Sequence, residues 1–314
     1  MKRCFLNERL KNIFLKNRDM RFIKMTGGLG NQMFIYAFYM RMKKHYSNTR
    51  IDLSDMVHYK AHNGYEMHRV FNLPPIEFCI NQPLKKVIEF LFFKKIYERK
   101  QVPSSLVPYD KKYFWPLLYF KGFYQSERFF ADMADDIRKA FTFNPSLSNR
   151  KTKEMSEQID HDENAVSIHV RRGDYLEPKY WKTTGCVCQL PYYLNAIAEM
   201  NKRISQPSYY VFSDDIAWVK ENLPLPKVFF IDWNKGTESW QDMMLMSRCR
   251  HHIICNSTFS WWGAWLNPRE NKGEFYQFNL SSCIRQQNSL TAQFVSFSLA
   301  NLANIFYPPP RFLQ

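Results

Sequence analysis

Long apolar runs are the first thing this sequence lacks. The stretch Val87 to Phe93 within KKVIEFLFFKKIY is interrupted by Glu89, and the longest unbroken run, Met33 to Met40, falls well short of the roughly 20 residues that span a bilayer as a helix. The opening segment MKRCFLNERLKNIFLKNRDM breaks its apolar positions with charge, so it holds no continuous core of the kind an export signal needs. Cysteine is sparse, seven in an odd count. Cys186 and Cys188 form C-x-C rather than the C-x-x-C of a redox or zinc site. These absences lead to the expectation of a cytoplasmic protein in a reducing compartment, resting at most on the inner face of a membrane. Acidic residues are also short, 29 Asp and Glu against 44 Lys and Arg, a net charge of +15. That field suits anionic partners: nucleic acid, an acidic membrane surface or a phosphorylated substrate.

Core-building residues are plentiful. Hydrophobic side chains make up 45% of the 314 residues, with 27 Phe, 18 Tyr and 8 Trp, which excludes a disordered chain and allows two domains. A basic arm, residues 1–19, reads either as a solvated extension or as a membrane-surface arm. Residues 20–150 form a first domain, and 151–314 a second with a C-terminal segment. The boundary is drawn at Asn144-Pro145-Ser146 and the polar stretch after it.

In the first domain MRFIKM reads as a strand, a glycine cluster follows, and Asn31 to Lys44 reads as a helix with basic residues in its last turn. Residues 47–150 read as irregular, except for LKKVIEFLFFKKIYERK, an amphipathic basic helix. The second domain alternates: strands at Ala165 to Val170, Tyr209 to Phe212, Val228 to Ile231 and His252 to Cys255. Helices are expected at Pro191 to Arg203, Asp214 to Asn222, Glu238 to Met246 and Phe259 to Leu266. Strand and helix taking turns marks a doubly wound parallel sheet, whose ligands bind beyond the carboxyl ends of the strands.

Chemistry-bearing residues sit at those ends. HVRRGDY follows the first strand of the second domain. Side chains alternate along a strand, so one of Arg171 and Arg172 aims at the cleft, where a guanidinium matches phosphate oxygens. Asp174 either orients an arginine or acts as a base, and a salt-bridged strand end is the plainer alternative. Ser213-Asp214-Asp215 reads as a helix start, with Ser213 as its cap, rather than as a magnesium site. NSTFSWWGAWL places hydroxyls at a helix N-terminus, a ready anion site. Trp262 and Trp265 belong to the core, and Gly263 allows close helix packing. The cluster KMTGGLGNQM is strand, glycine turn, helix, yet Met33 stands where a dinucleotide fingerprint has its third glycine, and no Walker lysine is present. The loop instead puts backbone donors and the amides of Asn31 and Gln32 at the rim of a cleft.

GGLGNQMFIYA, HVRRGDY, SDD and NSTFSWWGAWLN, with NGYEMHRVFNL, GFYQSERFF and CVCQLPYYLNAI between them, together resemble the α-1,2-fucosyltransferases of glycosyltransferase family 11, in order from about Met20 to Asn267. The resemblance implies an α/β fold of GT-B type: two Rossmann-like domains, the donor site in the C-terminal one and the acceptor side in the first. It implies inverting transfer of fucose from GDP-L-fucose to the 2-hydroxyl of a terminal galactose on an oligosaccharide or lipid-linked glycan, with no cofactor or metal required. By resemblance Arg171 neutralises the departing diphosphate; beside it Asp174 is the candidate base for the acceptor hydroxyl, and Asn31 the candidate catalytic residue of the glycine loop at the donor–acceptor junction. His169 and Arg172 line the nucleotide site, Ser257, Thr258 and Ser260 contact pyrophosphate, and Asp242 reads guanine. Two alternatives stand beside this reading: a related GT-B transferase with another nucleotide sugar or acceptor, and a basic nucleic-acid-binding protein. The second lacks an RRM, OB or helix-turn-helix signature and has its basic residues dispersed, so no nucleic-acid partner is expected.

Overall fold

A computed structural model describes residues 21–57, 59, 62–74, 76, 94–97, 118–181, 185–186, 188–268, 275–277 and 293–295. The arm at 1–19 lies outside them. The chain forms two compact units, Met1–Arg69 with Leu73–Ala140, and Val70–Asn72 with Phe141–Gln314. The division thus falls earlier than 150/151, because Phe141 and Phe143 pack on second-unit tryptophans. Phe141 stands edge-on to Trp262 at 5.3 Å and Phe143 stacks on Trp240 at 6.0 Å.

The first unit carries a four-stranded, all-parallel sheet in the order β2-β1-β4-β3: β1 Arg21–Lys24, β2 Thr49–Asp52, β3 Lys94–Tyr97 and β4 Leu118–Lys121. The expectation of irregular structure over 47–150 is therefore wrong. So is the helical reading of Lys94 to Tyr97, which form β3, while the rest of that proposed helix lies outside the described residues. These strands are four residues each, and TRID and KKIY show neither alternation nor a continuous apolar run, so hydrophobic period carries no signal there. Helix α1, Leu29–His45, buries ten residues including Met33, Phe34, Ile35 and Phe38, and ends in Lys43, Lys44 and His45 as expected. Short helices α2, Met67–Val70, and α3, Ala134–Ala140, complete this unit's labelled elements, with Val70 counted in the other unit.

In the second unit the sheet runs β10-β9-β8-β5-β6-β7. Its strands are β5 Ala165–Val170, β6 Ser208–Ser213, β7 Val228–Ile231, β8 His251–Ile253, β9 Phe275–Gln277 and β10 Gln293–Val295. All pairings are parallel except that of β9 with β10. The helices are α4 Arg150–Asp160, α5 Leu190–Arg203, α6 Ile216–Asn222, α7 Trp240–Arg248 and α8 Thr258–Trp265. Strand residues alternate between two cores. Val166, Ile168, Val170, Tyr209 and Val211 meet Tyr193, Ile197 and Met200 of α5, whereas Ala165, Tyr210 and Phe212 meet Ile159 of α4 and Leu245 and Met246 of α7. Apolar side chains on both faces require helices on both faces, which is the doubly wound arrangement expected. No helix among the described residues is long and apolar enough to cross a membrane.

Candidate active site

Strand order places the site. From β5 the chain adds β6 and β7 on one side, then returns to lay β8 against the other side of β5. The switch point therefore lies between β5 and β8, and the crevice at their carboxyl ends is where such sheets bind ligands. The segments leaving these two strands are HVRRGDY and CNSTFS.

The two arginines point apart, as alternation requires. Arg171 is held by Asp174 through two parallel bonds, Nε to Oδ1 at 3.0 Å and Nη2 to Oδ2 at 2.8 Å, and lies over the Tyr175 ring at 4.7 Å. Burial opposes its charge, yet the Asp174 carboxylate and the Tyr175 hydroxyl leave the guanidinium above its ordinary value. Tyr175 in turn donates its hydroxyl to the Asn256 carbonyl at 2.8 Å, fastening the β5 loop to the β8 loop. Arg172 turns to the β6 side, bonding Asp215 at 3.1 Å and packing on Trp218 at 4.2 Å.

Asp214 and Asp215 are engaged in holding this loop. Asp214 accepts from the Arg172 backbone N–H at 2.8 Å, and a side chain at Gly173 would collide with its Oδ2 at 2.7 Å. Asp215, not Ser213, caps α6 by accepting from Trp218 N–H at 3.1 Å; Ser213 instead accepts from the Asp215 N–H. The cap moves two residues along because the Asp215 carboxylate can serve the helix and Arg172 at once.

On the β8 side Ser257 caps α8, accepting from Phe259 N–H at 3.3 Å, and Ser260 donates back to the Ser257 carbonyl at 3.3 Å. Both are buried. Thr258 is half-buried at the first position of α8, and its hydroxyl has no hydrogen bond among the described residues. Of the three expected hydroxyls, that of Thr258 is the one without a hydrogen bond among the described residues, beside the first-turn N–H groups other than that of Phe259.

His169 and Cys255 lie at the floor, Nδ1 and Sγ 3.1 Å apart. The pair has the outline of a nucleophile and its base, but burial drives the imidazole down to about 3 and the thiol up to about 12. Both are neutral near pH 7, so the pair makes no thiolate nucleophile. Asp242, on the first turn of α7, is half-buried and accepts from Asn234 at 2.9 Å. Burial raises its carboxyl to about 7, a rise that the Asn234 bond lessens. Asn234 is fixed by Asn149 at 2.8 Å and Thr152 at 3.1 Å, a support that sequence reading did not identify.

In the first unit β1 and β4 form the corresponding switch point. The glycine loop follows β1, and Gly27 adopts φ +82°, a conformation that favours glycine. Asn31 is half-buried here. Gln32 is not at a rim: it is wholly buried and bonds the Gly27 and Gly64 carbonyls at 2.8 and 2.7 Å and the Glu66 N–H at 2.9 Å. A buried amide must satisfy its groups internally, so Gln32 acts as the staple of the loop.

Several known proteins resemble this chain. The chain is 33% identical over 259 residues to an alpha-1,2-colitosyltransferase of Escherichia coli, covering 77% of this chain and 86% of that one. It is 28% identical to the O-antigen biosynthesis glycosyltransferase WbnK of Escherichia coli, over 79% of this chain and 90% of that one. A galactoside alpha-(1,2)-fucosyltransferase 1 of Leontocebus fuscicollis is 31% identical across 48% of this chain and 43% of its own length. Among solved structures, NodZ alpha-1,6-fucosyltransferase soaked with GDP-fucose superposes with a TM-score of 0.52 at 14% identity, over 88% of this chain and 98% of that one. That likeness and the two Rossmann-like units make the fold GT-B in type. The family model for glycosyl transferase family 11 matches residues 15–282, and the chain belongs to that family.

Proposed function

We propose that this glycosyltransferase moves L-fucose from GDP-L-fucose, with inversion and without a required metal, to the 2-hydroxyl of a terminal galactose during glycan or surface-polysaccharide synthesis. The observation that carries the reading is Arg171, locked by Asp174 at the carboxyl end of β5, with the N-terminus of α8 across the same switch point. In inverting transfer the bond from the sugar to the β-phosphate breaks with its electron pair leaving on GDP. The acceptor oxygen attacks the opposite face and loses its proton to a base. Negative charge grows on the diphosphate, where a preorganised cation and helix N–H donors stabilise it most.

Within this proposal Arg171 meets the leaving phosphate, Thr258 and the α8 N–H groups bind pyrophosphate, and Asp242 reads guanine. Asp174, with both oxygens on Arg171, serves first to aim that guanidinium. Asn31 offers a side-chain N–H to a substrate oxygen in the first unit. The relative named for colitose favours a second donor, GDP-colitose, since colitose is fucose without its 3-hydroxyl. A galactose-terminated, lipid-linked acceptor accords with a basic protein at an anionic membrane surface.

The test is GDP release from each donor, with and without lactose, in EDTA. Lactose-dependent release from GDP-L-fucose that survives EDTA supports the proposal. Release only from GDP-colitose moves the donor assignment. Absence of release and of GDP-fucose binding in folded protein overturns it.

A further inference from the structure

Beside the glycine loop, a strained turn on a different strand reaches Asn31. Tyr124, buried in the segment after β4, has φ +51°, a left-handed conformation rare for an aromatic residue. Its ring stacks on Phe38 of α1 at 3.9 Å between centroids and 9° between planes, and stands edge-on to Phe129 at 5.4 Å. The Ser126 N–H closes on the Tyr124 carbonyl at 2.7 Å. Such strain persists only where the surroundings over-determine it, and it concentrates at functional sites.

What the turn delivers is Gln125. Its Nε2 donates to Asn31 Oδ1 at 2.7 Å, across the β1/β4 switch point. On the other side the Asn31 amide lies against bare Gly27: a side chain there would meet Asn31 Nδ2 at 2.8 Å and its Cβ at 2.9 Å. The amide is thus clamped between two loops, with its oxygen occupied and its Nδ2 making no hydrogen bond among the described residues.

We infer that Gln125 is a positioning residue: by occupying the Asn31 oxygen it makes Asn31 present N–H, not C=O, to the substrate. The inference rests on the proposed role of Asn31 in transfer. A donor at that point binds a substrate oxygen and an acceptor repels it, so polarity, not mere placement, is what Gln125 sets.

The decisive variant is Gln125→Glu, which keeps shape and removes the donor. Its carboxylate can only accept, so the Asn31 amide turns over to donate to it and shows its oxygen outward. Expected results are a fall in kcat of about 10²-fold, the scale of one lost transition-state donor, with melting temperature and GDP affinity unchanged. Gln125→Leu, which frees the amide to take either orientation, should lose less than Gln125→Glu. A merely structural role predicts the reverse order, since leucine removes the bond outright, and that order overturns the inference, as does near-normal kcat in both variants. If Asn31→Ala turns over normally, the role of Asn31 fails first and the inference with it. If the wild type uses neither sugar donor, the side-chain amide resonances of ¹⁵N-asparagine-labelled protein take over. Gln125→Glu must then shift the Asn31 pair selectively, and an unmoved pair overturns the clamp itself.

Discussion

Arg171 and Arg172 are adjacent and chemically identical, and only direction separates them. Arg171 is aimed over Tyr175 by a two-bond carboxylate fork, whereas Arg172 lies against α6 between Asp215 and Trp218. Removing Arg171 should cost about 10²–10³ in kcat, the loss typical of one preorganised donor to a developing anion, beside a modest loss of stability from its broken carboxylate pair. Arg172→Ala should show only the second effect. A partly exposed ion pair contributes about 1 kcal/mol at most, and a cation over an aromatic face about as much, so the effect is a modest loss of stability with activity largely kept. Steady-state kinetics beside thermal melts separate the two, and equal catalytic losses would contradict the assigned directions. Alternation along a strand already implied that the pair would diverge. Which arginine met which carboxylate was not legible, because Asp174 is close in sequence while Asp215 arrives from β6 only through parallel pairing.

At the scale of elements, α7 and α8 pack through Gly263. A methyl group there would sit 2.8 Å from Met246 Cβ and 3.2 Å from its Sδ. The nearer atom belongs to the stem of Met246, which cannot swing aside, so the helices must separate. Overpacking of this kind costs about 1–3 kcal/mol, against a gain of about 1 kcal/mol from replacing a helical glycine with alanine. Gly263→Ala should therefore lower the melting temperature by about 2–4 °C, the scale of a net 1 kcal/mol in a domain of this size. It should also weaken GDP binding, because α8 carries Thr258 at its first turn. An unchanged or higher melting temperature would show that the helices have room. This element was readable in advance: Trp262 and Trp265 at helical spacing are buried, as are Trp261 and Ala264. Of the first-unit strands β1 alone was readable, since β2 and β3 draw their stability from pairing with β1 and β4 instead of from an amphipathic pattern of their own.

For the whole molecule, two perturbed groups set opposite pH slopes. Asp242, raised from 3.8 to about 7, favours the folded state fully at low pH and withdraws that support as pH climbs through 7. His169, lowered from 6.5 to about 3, supports the fold above 6.5 and withdraws as pH falls toward 3. Between about 6.5 and 7 the His169 slope has ended and that of Asp242 remains. If guanine N–H groups meet the ionised Asp242 carboxylate, nucleotide binding relieves the burial that opposes its charge. The rise in melting temperature caused by GDP should then grow from about pH 6 to about pH 8, and Asp242→Asn should flatten it. A GDP effect independent of pH in the wild type would remove Asp242 from guanine recognition.

The sequence by itself determined β5 to β8 and α5 to α8 of the second unit, though not α4, β9 or β10, together with the family and the residue types gathered at the strand ends, because periodic segments and contiguous motifs carry that information locally. Tertiary structure decided what each of those residues faces. Asp215 rather than Ser213 became the cap, Gln32 turned inward to staple the glycine loop, and Asn31 met Gln125 from a strand far along the chain. The Asp215 carboxylate that meets Arg172, the Gln32 bonds to Gly64 and Glu66 and the Gln125 bond to Asn31 all join segments far apart in the chain, and such long-range pairing is contained in no local window of residues.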